Sequence, residues 1–511
     1  MTSGLRSLPN EILREIASLT GNDIKTLCLV DKHTNQVVNP VIWDTFPIIL
    51  NFNRENLGSN MSILEDLDRT PVDKFRKLEI KSLDPSKELI DPDCRTWSTM
   101  PDGTCYPPMP EDTEELMEVI EGLPKILPGA LYSLKGLRSV DWTITKKSPD
   151  WIQSTVLQFL RTLLPLTVDP PKSDASQGIG SLQTLIIRSK NSLNPPEFVS
   201  SLAAVLTHNP HLTHLELDME EQRHGEQLSF RDLFQNVPPE TIHLHSLLLR
   251  GWSIEVTAQM RPHLNSLRSI QLPQSWPHVH PGHEGLWKSL TTSPPSSLRH
   301  VSSGWVSDGL LDFLQSISGL DDLELGYAGG YTDQESDRLA RRFYDDVLPQ
   351  QRKSLKRLHV YPAFTGSWTV GLRDVNRFDG CVELMRLCVG LDPDEIRPDE
   401  GEEGDVVTSF LSQITRLPRL SVLILPSVRH KKYRNKDRKS GTYIYIDRRR
   451  NEKQIREALD RAVISDADSQ WAERSLRVYS RRIPRDDTWL NVNKGDHVSV
   501  YDCESGSLGF A

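Results

Sequence analysis

LTHLEL, residues 212–217, sets Leu212, Leu215 and Leu217 around the polar residues Thr213, His214 and Glu216. Apolar and polar residues alternate over its second half, which predicts a half-buried strand with its leucines on one face. The same spacing returns along the chain. It reads LQTLII at 182–187, LHSLLL at 244–249, LRSIQL at 267–272 and LDDLEL at 320–325. It continues as LKRLHV at 355–360, LMRLCV at 384–389 and LSVLIL at 420–425, with looser copies FRKLEI (75–80), LRSVDW (137–142) and LRHVSS (298–303). Between the copies lie segments of helical character: PEFVSSLAAVLTHNP from Pro196, FRDLFQNVPP from Phe230 and EGLWKSLTTSPP from Glu284. Three more follow: DGLLDFLQSISG from Asp308, RLARRFYDDVLPQ from Arg338 and VVTSFLSQITRLP from Val406.

Spacings of about 22 to 36 residues leave room for one strand and one helix per unit, an α/β chain. These units resemble degenerate leucine-rich repeats, with the asparagine-ladder position largely absent. The resemblance implies a solenoid with parallel strands inside and helices outside. A doubly wound α/β domain alternates in the same way, but its strands are usually continuous apolar runs and its first loop cradles phosphate. The nearest approach to such a loop, GIGS at 178–181, lacks the third glycine.

At 511 residues the chain is too long for one ordinary core, so several domains or an extended repeat with a small module are expected. A net charge of -10 gives no general affinity for nucleic acid, and no stretch is apolar enough to cross a bilayer. Six cysteines without a C-x-x-C pair fit a reducing, intracellular setting, cytoplasmic or nuclear.

The N-terminus carries a second pattern. In SLPNEILREIASL (7–19) the residues Ile12, Leu13, Ile16 and Leu19 form one apolar stripe headed by Leu8, with Pro9 at a helix start and Glu11 in the first turn. A second helix is expected from Asp23 through Val37 and Val38, and a third start at Asn39 and Pro40. Three short helices bury too little to stand alone, so part of their surface should dock on something. Residues 8–46 resemble an F-box, on Leu8, Pro9, Glu11, Ile12, Leu13, then Asp23, Ile24, Leu27, Leu29, Val30, then Pro40 and Trp43. Thr34 stands where many members carry an aromatic, and the turn after Leu19 is short. The resemblance implies a small three-helix module that binds a Skp-type adaptor of cullin-RING ubiquitin ligases through Leu8, Pro9, Glu11, Ile12, Leu13, Ile16, Leu27, Val30 and Trp43. It also implies a target protein held by the repeats and no catalytic residue on this chain. A scaffold whose N-terminal helices only cap its own fold is the alternative, and an enzyme with an unrecognised site is a third reading.

The expected organisation is an F-box at 1–48, an irregular first repeat at 49–136 with a long Pro/Asp-rich loop at 84–113, repeats at 137–490 and a tail at 491–511. Register taken from the leucines puts His214, Glu216, Asp218, Ser246, Arg250, Ser269, Gln271, Asp322, Glu324, Arg357, His359, Tyr361 and Arg386 on the concave strand face. Trp252, Trp276, Trp305, Tyr327 and Tyr361 follow close behind strands. As a cluster they mark a candidate target-binding edge, while any single tryptophan fits better as core. An acidic run at 392–405 and a basic run at 429–439 read as solvated loops, the latter also as a nuclear-import candidate. His208, His211 and His214, and His278, His280 and His283, lack the spaced partner pair zinc wants, so no metal or cofactor is expected. No P-loop, nucleophile elbow or H-E-x-x-H motif occurs.

Overall fold

The computed structural model describes residues 8–19, 32–45, 47–52, 56–69, 75–83, 98–99, 105–106, 114–145, 148–163, 182–189, 195–219, 228–239, 241–273, 282–328, 332–396, 405–431, 450–459, 476–479 and 491–492. By internal packing the chain divides into two compact units, Met1–Leu264 and Asn265–Ala511. The division falls inside the stretch expected to be a single run of repeats.

The first unit begins with helices α1 (Asn10–Leu19) and α2 (Lys32–Thr45). The Leu13 amide donates to the Pro9 carbonyl at 3.1 Å, so α1 starts where the proline predicts. Leu13 and Ala17 are buried, as are Thr34, Val37 and Val38 of α2. The expected new start at Asn39 and Pro40 is corrected: α2 runs straight through both. Burial of Val37 and Val38 anchors the helix and outweighs the one hydrogen bond a proline removes. The stretch 20–31, where the Asp23 helix was expected, lies outside the described residues.

Strand β1 (Ile48–Asn51), helix α3 (Leu57–Arg69) and strand β2 (Lys77–Ser82) follow. Of the 84–113 loop, the described part is an antiparallel pair, β3 (Ser98–Thr99) with β4 (Cys105–Tyr106). Next come α4 (Glu114–Ser133), β5 (Ser139–Ile144), α5 (Asp150–Thr162), β6 (Thr184–Ser189), α6 (Pro195–His208) and β7 (His214–Met219). A side ribbon of β8 (Leu228–Ser229) and β10 (Trp252–Ser253) brackets α7 (Phe230–Phe234) and β9 (Ser246–Arg250), and α8 (Arg261–Leu264) closes the unit. The strands β1, β2, β5, β6, β7 and β9 pair in parallel in that order.

The second unit repeats the scheme. Its elements are β11 (Ser269–Leu272), α9 (Gly282–Thr292), β12 (His300–Ser303), α10 (Asp308–Ser316), β13 (Asp322–Ala328), α11 (Asp333–Arg342), a π-turn (Phe343–Val347) and α12 (Leu348–Gln351). They continue as β14 (Arg357–Pro362), β15 (Arg386–Cys388), α13 (Val406–Ile414), β16 (Val422–Ile424), β17 (Leu476–Tyr479) and β18 (Asn491–Val492). Strands β11 to β17 pair in parallel in chain order, and β18 joins β17 antiparallel. Within neither unit does the order of the described parallel strands reverse, and such a reversal is the mark of a doubly wound sheet. The chain is α/β, with a parallel sheet and intervening helices compatible with a solenoid.

The motif explains the sheet. Its first leucine (Leu182, Leu212, Leu244, Leu267, Leu320, Leu355, Leu384) and the two aliphatics that follow are buried, which stacks one apolar layer per strand. The second motif position joins neighbouring strands through its backbone carbonyl. The carbonyl of Arg138 accepts the amides of Gln183 and Thr184, that of Gln183 accepts Thr213 and His214, and that of Thr213 accepts His245 and Ser246. Arg299, Asp321, Lys356 and Met385 carry the same two-donor carbonyl in the second unit.

The helix layer is joined by side chains. Glu284 of α9 accepts from the Ser307 hydroxyl (2.7 Å) and the Gly309 amide (2.9 Å), capping α10 from the neighbouring helix. Between β14 and β15 no α-helix is described. Trp368 and Phe378, both buried, fill that layer, with ring centroids 5.7 Å from Phe343 and 6.1 Å from Phe410 respectively.

Candidate functional site

The apolar stripe of α1 is split by the structure. Leu13 is 1% exposed and helps close α1 on α2, whereas Ile12 is 41% exposed and Ile16 is half-buried. Leu8 is half-buried and Pro9 exposed. Leu27 and Val30 lie outside the described residues, and the side chains of Glu11 and Trp43 do as well. Among the described side chains of the stripe, Ile12 is therefore the most open to a partner, beside the exposed Pro9.

On the strand face of the first unit, register sets Asp141, Ile186 and Glu216 in one row and Thr143, Arg188, Asp218 and Arg250 in the next. Arg188 spans the rows. It donates to both oxygens of Asp141 (2.7 and 2.8 Å) and through Nε to Glu216 (2.9 Å). Arg250 donates to both oxygens of Asp218. Burial pushes the Glu216 carboxyl up even though Arg188 pulls it down. His214 is exposed at the start of β7, its Nδ1 2.8 Å from the Thr213 hydroxyl. Each arginine of this face meets its own carboxylate, so the surface is electrically self-satisfied.

The second unit's face differs. One row reads Ser269, His300, Asp322, Arg357, Arg386, Val422; the next reads Gln271, Ser302, Glu324, His359, Cys388, Ile424. Asp322 takes His300 Nδ1 at 2.8 Å and Arg357 at 2.6 Å. Burial raises the Asp322 carboxyl, but His300, Arg357 and His359 together outweigh it and hold the group below the ordinary range. Glu324 accepts the Ser302 hydroxyl at 3.2 Å. His359 is pushed down to about 4 by burial, with Asp322 opposing the shift and Arg386, Arg357 and His300 adding to it, so its imidazole is neutral at pH 7. The Tyr361 ring meets it edge-on at 5.9 Å. Nε of Arg386 and Nε2 of His359 are enclosed without a hydrogen-bond partner.

The aromatic edge is only partly a surface. Trp252 is corrected from edge to core: it is 1% exposed, because its position in β10 turns the ring inward. Trp305 and Tyr361 are half-buried, Trp276 lies outside the described residues, and so does the side chain of Tyr327. Trp368, which follows β14 at a greater distance, was not among the expected residues and is core as well.

Sequence reasoning also missed an open groove of about 610 Å³ in the first unit, between α6 and the β8–α7 segment. Val199, Ala203, Thr207, Leu228, Ser229 and Asp232 are among its walls. No periodicity signals it, since it arises from small residues along one side of α6. Among the described residues no group of three His, Cys, Asp or Glu is placed to hold a metal ion, and no helix is long and apolar enough to cross a membrane.

Comparison with models of known families found none that matches the chain, and comparison with curated proteins found no significant match.

Proposed function

We propose that this chain is the substrate-recognition subunit of a Skp-cullin-F-box type ubiquitin ligase, holding the adaptor through α1 and a target protein through the strand faces. The observation that carries the reading is the split stripe of α1: Leu13 and Ala17 are spent on α2, while Ile12 is left facing out in a motif that resembles an F-box. A receptor of this kind acts by effective concentration and orientation, and the reactive thioester sits on another protein.

The test is retention of a Skp-type adaptor from cells that make the protein. Ile12→Glu should abolish retention while leaving the thermal midpoint unchanged, because the side chain is already open to water. Retention that survives this substitution sinks the reading. Leu13→Glu is a poor probe, since a charge at a buried position unfolds the module.

A second reading has one observation in its favour: α2 packs against β2, as a helix that caps the sheet would. In that case deleting residues 1–46, which spares β1, exposes the sheet and destabilises the first unit. A docking module leaves it folded.

A further inference from the structure

We infer that the β14–β15 part of the strand face holds an anionic side chain of a peptide partner, a carboxylate or a phosphate, at Arg386 and Arg357, with Met385 at the strand-start rim receiving an apolar neighbour. The inference rests on the reading of this face as the target-binding surface and names what that surface takes.

The argument starts from pairing. Arg188 and Arg250, the arginines of the first unit's face, are each held by carboxylates, and Arg357 is held by Asp322. The side chain of Arg386 makes no hydrogen bond or ion pair among the described residues, although the residue is half-buried and its Nε is enclosed. Its neighbours in register are Arg357 on one side and Val422 on the other, so neither adjoining strand supplies an acid. A partly desolvated cation beside a second cation is unfavourable until a counter-charge arrives.

The groups around it do not quench that charge. Asp322 is shared between His300 and Arg357, and Glu324 lies two strands away in the next row. The imidazole of His359 stays neutral chiefly because it is buried, with Arg386 and Arg357 adding to the lowering against Asp322, so it neither adds a full charge nor removes one. A guanidinium that is planar, always charged and short of acceptors is suited to a carboxylate or phosphate oxygen pair. The apolar element lies next door. Met385 immediately precedes Arg386 and is 48% exposed, with Val382 three residues earlier at 45%.

The experiment offers immobilised full-length protein three random peptide libraries that share a central glutamate, phosphoserine or glutamine. Wild type should retain the glutamate or phosphoserine library about tenfold over the glutamine library, the size of one charge-assisted contact. Whichever of the two is retained more identifies the source of the anion. Arg386→Gln should erase the preference and leave the thermal midpoint unchanged or higher, because it removes an uncompensated cation; Arg386→Lys should keep part of the preference. The inference is overturned by a wild type without preference, by a preference that survives Arg386→Gln, or by unfolding of that variant, which would make the arginine structural. Adaptor retention is measured on the same beads. Anion preference without adaptor retention leaves this site standing and removes the ligase reading, and the reverse result removes the site alone.

Discussion

Replacing Arg188 by glutamine cuts the link between Asp141 and Glu216 and leaves two carboxylates in one row, two strands apart, without the cation between them. An enclosed charge-assisted hydrogen bond contributes about 1.5–3 kcal/mol. Here the side chains of Arg188, Asp141 and Glu216 remain 39%, 27% and 23% exposed, and solvent screening brings each pair to about 1 kcal/mol. The two pairs together predict a loss of about 2 kcal/mol, confined to β5, β6 and β7. Because a long repeat chain need not unfold in one step, the assay is hydrogen exchange of peptides covering those strands, where the loss reads as exchange about 30-fold faster. The pH dependence has a definite sign. Burial already sets Glu216 above its ordinary value of about 4.3. Without Arg188 it rises further, and a carboxyl raised in the folded state destabilises the fold above its folded value and ceases to do so below the unfolded one. The variant's exchange ratio to wild type is therefore largest near pH 8 and shrinks toward pH 5. A ratio below about threefold at pH 8, or one that grows on acidification, refutes the reasoning.

Gln351 is fully buried, its amide donating to the carbonyls of Leu314 (3.1 Å) and Ile317 (2.7 Å) at the end of α10. Gln351→Leu orphans both carbonyls and should cost about 2–3 kcal/mol, seen as faster exchange from α10 into β13; unchanged exchange would show that water replaces the amide. Gly251 sits at φ 79° with the Met219 carbonyl where a Cβ would go. Gly251→Ala should cost at least about 1 kcal/mol, and a thermal midpoint equal to wild type would deny any need for glycine there.

The repeating strands were legible because a leucine spacing and a period-two alternation both survive in a single sequence, and all six helical segments between the copies coincide with described helices. Helix α4 was not legible. Pro124 and Pro128 punctuate it, yet Leu116, Val119, Leu123, Leu127 and Leu131 keep a helical spacing and are all buried, so packing overrides the prolines. The same override carries α2 through Pro40. Of the candidate site, the polar residues of the strand face were readable from the leucine register, but their pairing was not. Arg188 and Asp141 are separated by 47 residues, and only the strand register brings them together. The isolation of Arg386 is equally invisible in sequence, since it depends on Val422 occupying the adjoining position. Trp252 failed as an edge residue because distance from a strand end does not tell which way a ring turns.

The paired amides at the start of each strand have a consequence for what can lie along that rim. A carbonyl that already accepts two N–H groups has both lone pairs engaged, and at Gln183 and Met385 the hydroxyls of Thr213 and Ser421 (3.2 Å each) share it as well. An extended segment laid across the strand starts of either unit finds these main-chain acceptors already occupied, so they do not grip it independently of its sequence as an added strand is gripped. Selection there then falls on the side chains of the second motif position, Arg138 and Gln183 in the first unit and Arg299, Lys356 and Met385 in the second. The backbone contact asks nothing of their identity. The strand-to-strand backbone bonds and the ligand preference are thereby placed on different atoms of the same residues, and that preference can change by single substitutions with those bonds kept.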